Sequence, residues 1–351
     1  MGGRQSSRKK RVSMKIAVDA MGGDNAPEVV VQGAFQAAKE WGIDVTFVGN
    51  QNAIEATLPG GEERTHIHVH HCEDMVLMDE APLKAVRSKR DASVRVAFDL
   101  VKKGVVDAVV SAGNSGATLA AAIFTLGRIE GIERPALPGI FPVEKGKVIL
   151  IDVGANVDCR PLHLFQFGVM ADAFARSSLG MVNPRLGLLS IGEEGGKGNE
   201  QVRSAHDLFR DSPLNFVGNV EGRDIFSGQV QIVVCDGFVG NVVLKLSEGL
   251  AEGMIRMLKE EMTDSLSGKL CLLLSRGIFE GFMQRVDYAE YGGAPILGIK
   301  GVGIVCHGGS SVKAIKNAVK MAHDFAKENI QDKLSEQIAA YLSNAPMSKS
   351  A

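Results

Sequence analysis

The sequence predicts an α/β fold with a mostly parallel sheet, and three observations support this prediction. Short β-branched apolar runs, such as residues 231–235, are typical of buried parallel strands. Several of these runs end in a glycine-rich turn that precedes a helical pattern. After the run over residues 231–235, for example, apolar residues occur at helical spacing over residues 242–257. The chain has 41 glycines but only 5% aromatic residues, which favours close packing of helices on a sheet. Its 351 residues, 45% of them hydrophobic, suffice for about two domains or one large α/β unit.

The composition argues against several classes of protein. The net charge of -2 gives no overall basic field for nucleic acid. The five cysteines form no CxxC pair, so we expect free thiols in a reducing compartment. No apolar run reaches the roughly 18 residues that a membrane-spanning helix needs. We therefore expect a cytoplasmic protein that does not bind nucleic acid.

The two ends of the chain differ from the body in composition. Residues 1–13 are polar and basic, without the apolar core of a signal peptide. We expect a disordered leader or a sequence added upstream of a natural start at Met14; a basic arm for anionic surfaces is the alternative. Residues 344–351 are expected to form a disordered tail. Between them, residues 14–343 are predicted to form a single large α/β domain.

The first predicted strand, residues 15–20, runs into a turn before a predicted helix over residues 28–41. This turn contains four candidate substrate-binding residues: Asp19, Gly22, Gly23 and Asp24. The two glycines allow the backbone to approach a ligand closely. The two aspartates either take part in the chemistry, by orienting donors or a metal, or cap the turn and its helix.

The strand predicted over residues 105–110 ends in the most favourable anion-binding turn of the sequence. Small and polar residues there precede a helix rich in alanine, and the candidates are Ser111, Gly113, Asn114, Ser115 and Gly116. Backbone N–H groups at such a helix start bind anions. The turn matches neither a Walker loop nor GxGxxG, which disfavours dinucleotide oxidoreduction.

Three further strand ends carry polar candidates. Asp152 and Asn156 follow the strand over residues 148–153, and the strand over 231–235 is followed by Asp236, Gly237 and Asn241. A glycine-rich loop after the strand over 185–191 carries Lys197. Its ammonium either reaches inward to a phosphate or an oxyanion, or projects into water.

Histidines occur in two different settings. His307 follows the second of two short β segments and precedes a helix, which makes it a candidate general acid or base; a structural role in the turn is the alternative. The strand over residues 67–72 carries alternate histidines. Because no carboxylate or cysteine cluster completes a site there, an exposed strand face is favoured over a metal site.

Two segments suggest contacts with partners. The basic run over residues 81–93, which includes Arg87 and Lys89, supplies cations to an acidic substrate or carrier protein, or is only a solvated helix face. Residues 265–286 are amphipathic. They predict either a dimer interface or core packing, or a helix lying in a membrane surface.

In order along the chain, these segments resemble the acyl-ACP:phosphate acyltransferase (PlsX) family. Besides Arg87, Lys89 and the Gly-Lys-Gly of 196–198, the matching motifs are AVDAMGGD (17–24), SAGNSGA (111–117), IDVGANVDC (151–159), VCDGFVGN (234–241) and HGGSS (307–311). The resemblance implies a three-layer α/β/α fold akin to isocitrate dehydrogenases and phosphotransacetylases. It also implies a homodimer, with residues 250–290 as a protruding helical pair for dimer or membrane contact.

The implied reaction transfers a long-chain acyl group from acyl carrier protein (ACP) to inorganic phosphate, without a cofactor or metal. The acyl phosphate then feeds phosphatidic acid and phospholipid synthesis through an acylphosphate:glycerol-3-phosphate acyltransferase. The resemblance further implies peripheral association with the inner face of the membrane through residues 265–286.

Phosphate is itself the nucleophile in this hypothesis. We expect it on residues 111–116, with positive charge from Lys197 and Arg87 and a proton donor in His307. Asp236 and Asn241 are expected to orient these groups or the pantetheine arm. Two alternatives remain: an acyl-CoA or acetyl-CoA phosphotransferase on the same fold, and a non-catalytic membrane-associated scaffold.

Overall fold

The computed structural model describes residues 14–60, 64–144, 146–265, 267–269, 274, 277, 281 and 290–344. Its strands are β1 (Lys15–Asp19), β2 (Asp44–Gly49), β3 (Ile67–His71), β4 (Ala108–Ser111), β5 (Pro138–Val143), β6 (Gly146–Ile151), β7 (Leu186–Leu189), β8 (Phe216–Val220), β9 (Ile232–Val234), β10 (Ala294–Pro295) and β11 (Val302–Val305). Its helices are α1 (Glu28–Trp41), α2 (Gln51–Thr57), α3 (Pro82–Ser88), α4 (Ser93–Lys102), α5 (Ser115–Leu126), α6 (Pro161–Leu179), α7 (Glu200–Arg210), α8 (Gly237–Thr263), α9 (Val312–Lys327) and α10 (Ile330–Asn344). A 3₁₀ helix spans Gly222–Phe226.

One sheet has six strands in the order β10-β11-β4-β1-β2-β3. All pairs are parallel except the edge pair of β10 and β11. The register pairs Ser111 with both Asp19 and Val305. The carboxyl ends of β1, β4 and β11 are therefore side by side, and the turns that follow them emerge together.

The other sheet has five strands in the order β5-β6-β9-β7-β8. Here β5 is the antiparallel edge strand and the remaining pairs are parallel. The turns after β6, β9 and β7 carry Asp152, Asp236 and Lys197 respectively. Their parallel arrangement brings these three turns to one edge of the sheet.

The two sheets are joined through their antiparallel edge strands, at what we call the junction (residues 128–143 and 294–299). Antiparallel bridges link Ala136 to Leu297 and Arg128 to Ile299. Strands β11 and β6 consequently run in opposite directions and both end beside the junction. Three interstrand spacings, about 14 Å, separate them there. The carboxyl ends of the two sheets thus flank the same junction.

Helices cover both faces of the sheets. In β1, Ile16 and Val18 pack in the core formed with α1 and α9, whereas Ala17 packs on the side of α4 and α5. In β6, Ile149 and Leu150 alternate between the same two cores. The predicted three-layer α/β/α fold with mostly parallel strands is confirmed, with the strands divided between two sheets.

Several predicted boundaries agree with the structure and others shift. The helix predicted over residues 28–41 is α1, whereas α4 and β5 have no counterpart among the predicted elements. The helix predicted from residue 242 begins at Gly237. The predicted amphipathic helix over 265–286 is largely outside the described residues, as are the predicted leader (1–13) and the tail beyond 344.

Beyond its first turn, α8 contributes little to either core. Its buried residues are Gly237 and Gly240. Its exposed apolar side chains are Phe238, Val239, Val242, Leu246, Leu250, Met254, Met257 and Leu258. Among the residues that the structure describes, none of the helices combines the length and apolar character needed to cross a bilayer.

Candidate active site

The first group of candidates surrounds the adjacent ends of β1 and β4. Asp19 and Ser111 are buried, and the Ser111 hydroxyl donates to Asp19 Oδ2 at 2.7 Å. Ser111 Oγ also accepts from the backbone N–H of Gly113 at 3.2 Å. Asp19 Oδ1 is buried without a hydrogen-bond partner among the described residues. This network ties the two turns together and leaves one carboxylate oxygen unsatisfied.

Glycine is required where these two turns meet. A Cβ on Gly22 would lie 2.5 Å from Asp19 Oδ2 and 2.8 Å from the Gly113 backbone nitrogen. Gly23 has a φ of 126°, which disfavours any side chain, and its position would bring a Cβ to 3.3 Å from the Gly308 carbonyl oxygen. The glycines therefore serve close packing of three backbone turns, which creates a small, donor-rich surface.

Asp19 is an unusual carboxyl group because burial raises its pKa, against hydrogen bonds from Ser93, Ser111 and the turn that lower it. A raised folded-state pKa means that its contribution to stability is present at low pH and lost as the pH rises through that pKa. We expect Asp19→Asn, which stays neutral, to gain stability relative to the wild type between about pH 4 and pH 7. Urea unfolding of both proteins at the two pH values measures this; a pH-independent difference would contradict it.

Asp24 connects the first turn to the turn after β11. Its backbone N–H donates to the Gly308 carbonyl at 2.9 Å. A Cβ on Gly308 would lie 3.0 Å from Asp24 Oδ1, so the carboxylate packs directly on this glycine. The N-cap of α1 is Pro27, without a side-chain cap. Asp24 therefore does not cap its helix, contrary to one of the two interpretations above.

His307 is exposed two residues beyond β11, and one ring nitrogen is already engaged. The backbone N–H of Gly309 donates to His307 Nδ1 at 3.1 Å. Because Nδ1 is an acceptor, the neutral ring carries its proton on Nε2. The ring therefore holds its turn and also presents one N–H donor, so both interpretations of this histidine are compatible.

The start of α5 provides the clearest anion-binding geometry. Asn114 is its N-cap, and its Oδ1 accepts from the Ala117 N–H at 3.1 Å. No acceptor within the described ranges receives the N–H groups of Ser115 and Gly116, which lie in the first turn. The glycine also has a packing role, because its Cβ would lie 2.8 Å from Pro82 Cγ.

The loop before α3 covers one side of this group. Asn114 Nδ2 donates to the Met78 carbonyl at 2.9 Å. Lys89 donates to Glu80 Oε2 at 2.8 Å and to the Met75 carbonyl at 2.9 Å. The ammonium of Lys89 is thus already neutralised and positions the loop. Arg87 instead stacks on Phe124, with its guanidinium 5.1 Å from the ring centre.

The second group surrounds the end of β6. Buried Asp152 accepts four hydrogen bonds, from the backbone N–H groups of Leu137, Ala155 and Asn156 and from Asn156 Nδ2, at 2.7–3.1 Å. Burial nevertheless raises the pKa of this carboxyl. Asn156 Nδ2 also donates to the Pro135 carbonyl at 2.8 Å. Asp152 and Asn156 therefore build the turn and anchor it to the junction.

Replacing Asp152 by alanine would leave three buried hydrogen-bond donors and one partly buried donor without this acceptor. We expect the free energy of unfolding to fall by about 3 kcal/mol or more. Asp236→Ala is the matched comparison, because Asp236 caps α8 with one bond to the Val239 N–H at 2.9 Å and its loss should cost about 1 kcal/mol. Chemical denaturation of both variants measures the difference; similar losses would refute the structural role of Asp152.

The turn after β9 packs tightly on the turn after β6. A Cβ on Gly237 would lie 2.6 Å from the Asn156 carbonyl oxygen, and one on Gly240 would lie 1.9 Å from the Asp152 carbonyl oxygen. Asn241 is exposed, and its side chain lies over Gly154, whose Cβ would be 3.5 Å from Asn241 Oδ1. Of the polar groups after β9, Asn241 is the one with a side chain exposed at the sheet edge.

Lys197 lies in the loop between β7 and α7. Its side-chain carbon Cγ packs against Gly192, and its backbone N–H donates to the Glu194 carbonyl at 2.9 Å. Asn219, at the end of β8, donates to the same carbonyl at 2.9 Å. The Lys197 side chain is exposed, and no carboxylate pairs with it in the part of the chain that the structure describes.

The structure thus places the predicted residues other than Arg87 and Lys89 in two groups that flank the junction: the ends of β1, β4 and β11, and the ends of β6, β9 and β7. Arg87 and Lys89 lie at α3, beside the first group. Gly308 and Gly309 were not among the predicted site residues, although the HGG sequence after a strand was a usable signal. Ser93, whose side chain lowers the pKa of Asp19, was also missed. Within the described ranges, no three histidine, cysteine or carboxylate side chains are arranged to hold a metal ion.

Comparison with known proteins shows the family. A sequence profile described as fatty acid synthesis protein matches residues 14–333. The phosphate acyltransferase of Geobacter sulfurreducens is 53% identical over 326 residues, which cover 93% of this chain and 94% of the relative. That of Geotalea uraniireducens is 54% identical over 326 residues, with 93% and 94% coverage. The chain belongs to the phosphate acyltransferase family. It is an acyltransferase.

Solved structures show the same fold outside this family. EutD phosphotransacetylase from Staphylococcus aureus has a TM-score of 0.59 and 16% identity, covering 90% of this chain and 94% of that one. A phosphotransacetylase from Streptococcus pyogenes has a TM-score of 0.57 and 19% identity, covering 93% and 94%. At these identities the likeness concerns the fold, and the predicted phosphotransacetylase-like architecture is confirmed.

Proposed function

We propose that the protein transfers a long-chain acyl group from acyl-ACP to inorganic phosphate and releases acyl phosphate and free ACP. One observation carries the proposal most directly. His307, whose neutral ring is left with its proton on Nε2, follows β11, which pairs with β4. The turn after β4 carries the backbone N–H groups of Ser115 and Gly116, which have no acceptor among the described residues. An anion site next to a proton donor suits attack by phosphate on a thioester.

Phosphate binds at the start of α5 in this proposal. The N–H groups of Ser115 and Gly116 point along the helix axis, where the helix dipole favours negative charge. The turns at Gly22, Gly23 and Gly113 leave no side chain to keep the anion away. Burial raises the pKa of the Asp19 carboxyl, which disfavours a second negative charge beside the phosphate.

The chemistry needs few protein groups. A phosphate oxygen attacks the thioester carbonyl carbon, a C–O bond forms, and the C–S bond then breaks. His307 Nε2–H donates a hydrogen bond to the developing oxyanion or to the departing thiolate, and the thiolate takes its proton from the attacking hydrogen phosphate or from water. Either role stabilises charge that appears only in the transition state.

The four cysteines that the structure describes are poor alternatives as nucleophiles. Burial raises the pKa of Cys72 and Cys306 to about 12 and that of Cys159 to about 11. Burial also raises the pKa of the Cys235 thiol. A thiol in this range is almost entirely protonated at neutral pH and reacts slowly. Direct attack by phosphate removes the need for an acyl-enzyme.

The second group supplies the opposite wall of the same cleft in this proposal. Lys197, which has no carboxylate partner among the described residues, reaches phosphate or the oxyanion across the junction. Asn241 contacts the pantetheine arm, while Asp236, Gly237, Asp152 and Asn156 keep its helix and turn in place. Arg87 and Lys89 act on the carrier side of the site, Lys89 by positioning the loop before α3.

We further propose that residues 14–343 act as one catalytic domain in a homodimer. The exposed apolar face of α8 and the following residues to 290 form the dimer contact and rest on the inner membrane surface. From there the acyl phosphate reaches an acylphosphate:glycerol-3-phosphate acyltransferase for phospholipid synthesis.

The function is tested by supplying palmitoyl-ACP and phosphate to the purified protein. Mass spectrometry should detect palmitoyl phosphate together with an equal amount of free ACP. Palmitoyl-CoA and acetyl-CoA serve as comparison donors. Preference for either CoA ester would favour a CoA-dependent phosphotransferase, and binding of lipid without acyl phosphate would favour a scaffold.

A further inference from the structure

A basic and apolar surface lies on the outer side of α3, beside the proposed phosphate site. We call it the α3 surface; it consists of Leu83, Lys84, Arg87, Ser88, Arg90 and Phe124. Four of these residues, Leu83, Lys84, Arg87 and Ser88, line an open concavity of about 470 Å³. All six side chains are exposed.

The cations of the α3 surface are not neutralised by any carboxylate that the structure describes. In the described part of the chain, no carboxylate pairs with Lys84, Arg87 or Arg90. Lys89, in the same run, differs because it pairs with Glu80 at 2.8 Å. Exposed cations clustered on a short helix and in the turn just after it attract an acidic partner and orient its approach.

Two features make this more than a solvated charge cluster. Arg87 stacks on Phe124, so part of the entropy of ordering its side chain is already lost before a partner binds. Leu83 is 58% exposed and Phe124 is 43% exposed, which gives the surface an apolar centre. Apolar anchors ringed by charge are typical of protein docking sites.

The position of the α3 surface relates it to catalysis. Pro82, which begins α3, contacts the first turn of α5 at Gly116. Asn114 reaches the loop before α3 through its bond to the Met78 carbonyl. A partner on the α3 surface would therefore present a flexible prosthetic arm directly to the proposed phosphate site.

We propose that the α3 surface docks the acidic acyl carrier protein. This inference rests on the proposed function, because it assigns the face through which the donor delivers its thioester. An acidic carrier protein would contact the cations that line the concavity. Its prosthetic arm would then start close to the proposed phosphate site. A flat anionic membrane is the competing occupant, and the described chain offers the apolar face of α8 for that purpose.

The experiment compares Lys84→Glu/Arg90→Glu with Lys102→Glu/Lys103→Glu. The control reverses two exposed lysines at the far end of α4, where the chain returns to the amino ends of the strands. Binding of palmitoyl-ACP is measured by fluorescence anisotropy for the wild type and both variants at two salt concentrations. Turnover is measured with palmitoyl-ACP and with S-palmitoylpantetheine, which lacks the carrier.

We expect Lys84→Glu/Arg90→Glu to weaken palmitoyl-ACP binding at least tenfold and to reduce its dependence on salt. The preference for palmitoyl-ACP over S-palmitoylpantetheine should fall by a similar factor. The control should match the wild type. Equal carrier affinity in both variants, or loss of binding to anionic vesicles instead, would overturn the docking assignment.

The two proposals fail in different ways. Carrier binding that depends on the α3 surface, without any acyl phosphate formed, would refute the proposed reaction and leave the docking surface in place. Acyl phosphate formation that is indifferent to charge reversal would refute the docking surface alone.

Discussion

Replacement of His307 by alanine is expected to lower kcat by about 100-fold to 1,000-fold, the usual effect of losing a proton donor or an oxyanion donor. The reason is geometric: Gly309 occupies Nδ1 at 3.1 Å, so Nε2–H is the donor left for substrate. The KM for phosphate should change less, because the backbone N–H groups of α5 remain. Steady-state kinetics with palmitoyl-ACP and phosphate measure both constants.

His70→Ala is the matched control for this experiment. His70 is exposed on the edge strand β3, and its removal should leave kcat within about twofold of the wild type. Circular dichroism and thermal unfolding confirm that both variants are folded. A His307→Ala enzyme with near-wild-type kcat would show that the histidine only holds its turn.

Replacement of Lys197 by alanine is expected to lower kcat/KM for phosphate by more than tenfold. Lys197 has no carboxylate partner among the described residues, so its full charge is available to phosphate or the oxyanion. Its backbone bond to Glu194 does not involve the side chain and should hold the loop in the variant. Kinetics at varied phosphate concentration separate a binding effect from an effect on kcat.

Lys333→Ala, on α10, is the matched control for the loss of one exposed lysine. It should leave kcat/KM unchanged at the ionic strength of the assay. A Lys197→Ala enzyme indistinguishable from this control would show that Lys197, in the loop after β7, takes no part in catalysis. The proposal that the turns after β6, β9 and β7 form part of the active site would then be refuted for Lys197.

The local pattern of apolar residues was sufficient to predict those helices and strands whose apolar residues follow a single helical or strand spacing. Helix α1 has its apolar residues at helical spacing and agrees with the predicted bounds. Helix α4 was missed because Val94, Val96, Phe98 and Leu100 alternate as in a strand, whereas the structure buries Val94, Ala97, Phe98 and Val101 on one helical face. Strand β5 contains Pro138 and Pro142, which disfavour a strand and are tolerated here at a sheet edge.

The roles of the site residues depended on contacts that no local pattern reveals. Asp152 and Asp236 both follow a strand and precede a turn, yet one accepts four buried hydrogen bonds and the other caps a helix. Arg87 and Lys89 are two residues apart, but Arg87 stacks on Phe124 whereas Lys89 pairs with Glu80. The joining of the two sheets edge to edge likewise depends on pairing between residues 136 and 297, far apart in sequence.

Free phosphate as the attacking group is the central claim, and release of the carrier thiol in the absence of phosphate tests it most directly. The enzyme is mixed with a stoichiometric amount of palmitoyl-ACP in phosphate-free buffer, and free thiol is followed by rapid quench. We expect no thiol above the hydrolysis background until phosphate is added, and then one thiol for each acyl phosphate. A burst of one thiol per active site before phosphate is added would reveal an acyl-enzyme and contradict direct attack.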